Sequence, residues 1–99
     1  MTLQKNGDGT ILTVTPDAQL NTMAARELEG ELRTGIGGVK KLIFDMSSVE
    51  YITSAALRVL LCARKVMMKQ GEMTVRSVRP EVMEIFEITG FIDFLSIGE

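Results

Sequence analysis

The chain has 99 residues, 45% hydrophobic and 24% charged, with a formal net charge of -2 and no histidine. That length bounds one modest core, so residues 1–99 are expected to form a single domain without a large active-site cleft. The weak acidic balance excludes a strong general field for nucleic acid or anionic lipid.

Mean hydropathy is slightly positive, yet the longest apolar stretch in mid-chain, Val59–Ala63, is far short of the roughly 18 residues a bilayer span requires. The segment Met1–Asn6 has no basic block followed by an apolar one, so the chain reads as soluble, unexported and cytoplasmic, with no membrane insertion. The single Cys62 fits a reducing compartment and, within Leu60-Leu61-Cys62-Ala63, is expected as a small core residue.

The first strand is expected around Thr2–Lys5, followed by a turn at Asn6-Gly7-Asp8-Gly9 and a second strand at Thr10–Thr15. Pro16 and Asp17 end it. A helix follows over about Thr22–Thr34, with Asn21 as its N-cap, Leu28 and Leu32 on one face, and Gly35, Gly37 and Gly38 as its stop. The run Lys41–Asp45 is nearly all apolar inside its flanks, which suggests a central strand covered on both faces.

The second helix is expected over about Ser54–Gln70, with Gly71 as C-cap. Leu57, Leu60, Leu61, Arg64 and Met68 recur at helical spacing, and Ala56, Val59, Ala63 and Met67 widen the apolar face. Met73–Val78 alternates as a strand. Pro80 opens a third helix with Val82, Ile85, Phe86 and Thr89 inward and Glu81, Glu84 and Glu87 outward. Gly90 should cap it, with Phe91 folding back, and Phe94–Ile97 is a candidate last strand. Most of the seven methionines fall at expected core positions, as gap-fillers.

The order β-β-α-β-α-β-α-β predicts a small α/β domain. Its sheet of four to five strands should be mixed but mostly parallel, with the helices mainly on one side.

Enzyme chemistry finds few role-players. Without histidine the Ser-His-Asp and Cys-His arrangements are impossible, and one cysteine makes a zinc or iron–sulfur site untenable. Ser54 lies in Ile52-Thr53-Ser54-Ala55-Ala56, not in a glycine-flanked nucleophile elbow. Gly35-Ile36-Gly37-Gly38 follows a helix and is not a phosphate-cradling loop. No cofactor and no catalytic residue is expected.

The loop from Asp45 to Ser54 leaves the C-terminal end of the central strand, where open α/β sheets usually meet ligands and partners. At its end Ser54 or Thr53 should cap the helix, a role the hydroxyl fills without any further function. The same position tolerates a phosphoryl group, because a helix N-terminus offers free N–H groups and partial positive charge.

The stretch Leu42-Ile43-Phe44-Asp45-Met46-Ser47-Ser48-Val49-Glu50-Tyr51-Ile52-Thr53-Ser54-Ala55-Ala56-Leu57-Arg58-Val59-Leu60-Leu61 resembles the STAS domain, the fold of bacterial anti-sigma factor antagonists. Gly71–Val75 and Ile85–Phe91 also look like the family, and Asp17–Asn21 lies where Gly-x-Leu-Asp is usual. The resemblance implies binding to an anti-sigma factor that is itself a serine kinase, with release of a sigma factor. It implies phosphorylation of Ser54, with Thr53 as the alternative, and reversal by a phosphatase. The partner surface it implies comprises Asn21, Tyr51, Thr53, Ser54, Ala55, Ala56 and Arg58. Asn21 replaces a usual aspartate, Thr53 an aspartate or serine, Ala55 a common second serine, and Ala56 a glycine whose replacement would put a methyl on the docking surface. The alternative is a non-phosphorylated STAS subunit of a transporter or lipid-trafficking complex.

Overall fold

Leu12 and Val14, Leu42 and Phe44, and Met73 and Val75 are buried, while the residues between them are only partly covered. This period-two pattern marks strands with one face in the core and the other open. The computed structural model describes residues 1–98, which form β1 (Thr2–Asn6), β2 (Ile11–Thr15), β3 (Gln19–Leu20), α1 (Thr22–Gly35), β4 (Lys41–Asp45), β5 (Tyr51–Ile52), α2 (Ser54–Gln70), β6 (Glu72–Arg76), α3 (Pro80–Thr89) and β7 (Ile97–Gly98).

The main sheet has the order β1-β2-β4-β6-β7, with β1 antiparallel to β2 and the other pairs parallel. The expected mixed sheet therefore holds, but the element order gains two short strands, β3 and β5, which pair in a separate parallel ladder. The central strand β4 is covered on one face only, because Lys41, Ile43 and Asp45 point to the open side. The apolar run was read as two-sided burial, but its alternation is what the helices match.

Helix α2 carries Ala56, Leu57, Val59, Leu60, Ala63 and Met67 into the core, and α1 contributes Ala25, Leu28 and Leu32. Each fully buried leucine or phenylalanine contributes about 1.5–3 kcal/mol from apolar transfer. Four expectations about burial need correcting. Cys62 is exposed, because its position on α2 faces the seam with α1 and not the sheet. Met68 is also exposed, one turn beyond Arg64, whose guanidinium contacts its sulfur. Thr89 lies outward and returns its hydroxyl to the Ile85 carbonyl. Of the seven methionines only Met46, Met67 and Met73 are buried, and Met23 is 80% exposed.

Two boundaries also move. The strand expected at Met73–Val78 ends at Arg76, since Ser77 takes a left-handed backbone with φ 58°. The last strand is Ile97–Gly98, because Phe91–Asp93 first makes a short 3-10 turn. Gly90 caps α3 with φ 80°, and Phe91 packs back against the core as expected.

Gly71 follows α2, but its φ of 179° is ordinary extended backbone. Its glycine requirement has another source. A Cβ there would collide with the carbonyl group and Cα of Lys40, at the point where β4 and β6 begin to pair. Gln70 fixes the same junction by donating to the carbonyls of Ile36 and Val39, both at 2.8 Å.

The loop after β4 is pinned throughout. Met46 and Val49 are fully buried. Met46 N–H donates to the Arg76 carbonyl at 2.9 Å and Glu50 N–H to the Ala18 carbonyl at 2.8 Å. Arg79 Nε donates to the Ser47 carbonyl at 2.9 Å. The Ser47 hydroxyl and the Ser47 N–H, the latter at 3.1 Å, hold the Asp45 carboxylate below its ordinary pKa, with Arg76 adding a smaller attraction.

Gly71→Ala is expected to destabilise the protein by about 2–3 kcal/mol, because the obstructing atoms are backbone and cannot rotate away; urea denaturation checks this, and an unchanged midpoint would contradict the contact. Asp45 supplies a pH signature. Its folded pKa lies below the unfolded aspartate value of about 3.9, so its stabilisation is present above that value and is lost as pH falls through the folded value. Wild type should therefore lose more stability than Asp45→Asn on acidification below about pH 4, as measured by denaturation at a series of pH values.

Candidate functional site

The strands β3 and β5 are only two residues each, yet they decide where two helices start. Gln19 pairs with Tyr51 and Leu20 with Ile52 in parallel register, so Asn21 and Thr53 leave the ladder side by side. Both residues then cap helices. Asn21 Oδ1 accepts from Ala24 N–H at 2.9 Å, and Thr53 Oγ1 accepts from Ala56 N–H at 3.4 Å.

Thr53 is held on its other side as well. Its N–H and its hydroxyl both donate to the Leu20 carbonyl, at 3.1 and 3.3 Å. It is half-buried. The cap of α2 is therefore Thr53, and Ser54 occupies the first helical position. Of the two candidates Ser54 and Thr53, it is Thr53 whose backbone is the extended one that a cap requires, with φ -91° and ψ 166°. Relieved of capping, Ser54 is exposed. Its hydroxyl sits above the free N–H groups and the positive end of the α2 macrodipole.

The remaining residues of the expected partner surface divide. Tyr51 is 49% exposed and lies one ladder position before Ile52. Arg58 is exposed one turn after Ser54, and Ala55 is half-buried between them. Asn21 is exposed beside Thr53. Ala56 is fully buried, so its methyl belongs to the core and not to a docking surface. Its alternation with Ala55 was legible only as part of the apolar face.

The seam between α1 and α2 adds residues that sequence reading did not single out. A depression of about 270 Å³ there is lined by Thr22, Ala25, Arg26, Ala55, Arg58 and Cys62, among others. Arg26 lies four residues after Thr22, as Arg58 does after Ser54. Only the pairing of β3 with β5 reveals that the two segments are neighbours. Among the described residues no helix is long and apolar enough to cross a membrane.

Known proteins resemble this chain in sequence and fold. BtrV of Bordetella bronchiseptica, described as a "putative anti-sigma factor antagonist", is 36% identical over 81 residues, covering 80% of this chain and 70% of that protein. The anti-sigma factor antagonist SpoIIAA in its unphosphorylated form superposes with a TM-score of 0.85, at 15% identity, over 99% of this chain and 87% of that one. The Bacillus cell fate determinant SpoIIAA in its phosphorylated form gives 0.77 at 14% identity, over 99% and 90%. At these identities the two structures speak to the fold. The STAS domain family model matches residues 2–99. A mixed sheet with α1 and α2 packed together is thus the framework of a known family, and this chain belongs to the STAS domain family.

Proposed function

We propose that the protein is an anti-sigma factor antagonist, a non-catalytic cytoplasmic unit of one STAS domain that binds an anti-sigma factor and thereby releases a sigma factor. The observation that carries the reading is Ser54, an exposed hydroxyl at the first position of α2 whose neighbour, Thr53, does the capping. The description borne by BtrV supports the class of partner.

In this reading the anti-sigma factor is also the serine kinase. It transfers the γ-phosphoryl group of ATP to the Ser54 oxygen, the serine proton leaves to a base on the kinase, and ADP departs. A phosphatase hydrolyses the ester. Phosphorylation adds about -1.5 to -2 charges at neutral pH, enough to disrupt a close interface by repulsion and desolvation. Because Thr53 holds its hydroxyl on Leu20 and on the helix start, it is the poorer acceptor of the two. Asn21, Tyr51, Ala55 and Arg58 form the surface around the acceptor, and the cap contributed by Thr53 shapes it. Ala56, being buried, puts no methyl on the docking surface and so does not set this chain apart from an antagonist.

Incubation with ATP and the kinase encoded beside the gene should add one phosphate, mapped to Ser54 by mass spectrometry; modification of neither Ser54 nor Thr53 would sink the switch. Ser54→Asp should weaken anti-sigma factor binding by at least about tenfold while Ser54→Ala retains it, the loss of about 1.4 kcal/mol being readable by calorimetry. Thr53→Ala should cost about 1 kcal/mol of stability through the lost cap, whereas Ser54→Ala should stay within about 0.5 kcal/mol; equal losses in urea denaturation would contradict the division of roles.

A further inference from the structure

Helices α1 and α2 open with the same chemistry. Each has a capping side chain, Asn21 or Thr53, and then a hydroxyl at the first helical position, Thr22 or Ser54. Three uncharged residues follow, and then an arginine, Arg26 or Arg58. The β3–β5 ladder sets the two starts side by side, and both arginines line one depression.

Neither first turn contains a carboxylate. Among the described residues, neither Arg26 nor Arg58 makes an ion pair. A cation so near a helix N-terminus adds to the positive end of the macrodipole instead of offsetting it. These two cations line one depression whose single carboxylate, Glu29, is paired with Arg33 at 3.3 Å, so the depression keeps a net positive charge.

Resting on the reading of Ser54 as the modified residue, we propose that Arg58 is the built-in charge partner of phosphorylated Ser54, with Arg26 reinforcing it from across the depression. Residues four apart on a helix lie about 5–6 Å apart at Cβ. Helical side chains lean toward the N-terminus, so Arg58 reaches back over the turn that carries Ser54. Its planar fork matches two phosphate oxygens at once, which a lysine cannot do. A phosphoserine of about -1.5 to -2 charges nearly cancels the two arginines.

The consequence is regulatory. The unmodified protein presents Arg58 to its partner, and the phosphorylated protein holds Arg58 in an internal pair. The pinned loop from Asp45 to Thr53 need not move. Modification then acts by withdrawing a cation from the docking surface as well as by adding an anion to it.

The test uses protein in which phosphoserine is placed at position 54 during synthesis, so no kinase enters. The second ionisation of the phosphate is followed by phosphorus NMR in the Ser54-phosphorylated protein and in its Arg58→Gln, Arg58→Lys and Arg26→Gln forms, with circular dichroism confirming each fold. Arg58→Gln should raise the phosphate pKa by roughly half a unit, Arg58→Lys should restore part of the shift, Arg26→Gln should give a smaller rise, and high salt should shrink all three differences. An unchanged titration in folded Arg58→Gln would assign any depressed value to the helix start alone and overturn the pairing. Failure of a kinase to modify Ser54 would count against the functional reading and leave this titration unaffected.

Discussion

One carbonyl, that of Leu20, controls the geometry of the functional end of the domain. It accepts both the N–H and the hydroxyl of Thr53, at 3.1 and 3.3 Å. Leu20 and Ile52 are themselves buried, so the junction sits on the core and is shielded from competing water. Through it the start of α2 is tied to the start of α1. The cap, the exposed serine beside it and the two arginines of the seam all take their positions from this tie.

The arrangement separates the capping residue from the exposed hydroxyl beside it. A residue that both caps a helix and receives a phosphate would lose its cap each time it was modified. Under the phosphorylation proposed for Ser54, Thr53 would retain the cap while the exposed neighbour carried the charge. The supporting loop has the same character: buried Met46 and Val49 anchor it from below, and Arg79 and Asp45 fix its polar side. A platform held in this way can change charge without changing shape, which suits a domain whose state is read by another protein.

Most of the architecture was legible in the residues. The boundaries of α2 and α3 follow from their caps and from Pro80, β1 and β2 from the turn at Asn6–Gly9 between them, and β4 from its short apolar run. What escaped was non-local. A two-residue ladder such as β3 with β5 carries no periodicity of its own, and only folding brings Gln19-Leu20 against Tyr51-Ile52. The exposure of Cys62 and Met68 escaped for a related reason. An apolar face wider than the surface it packs on leaves its margins in solvent, and the sequence does not show where the margins fall. Gly71 is the C-cap that the sequence suggests, but the requirement for glycine there comes from Lys40, far earlier in the chain. The family resemblance supplied Ser54. It could not reveal that Thr53 holds the cap, because both residues suit that role equally in composition.

The exposed thiol of Cys62 has a practical consequence. It is the single cysteine of the chain and lies on the wall of the α1–α2 seam. It lies eight positions after Ser54 on the same helix, about 12 Å at the usual rise per residue. An environment-sensitive dye attached there is near enough to register a partner arriving at the start of α2, and no engineered attachment point is required. The unmodified amino-acid sequence thus carries its own attachment point for an optical reporter of docking.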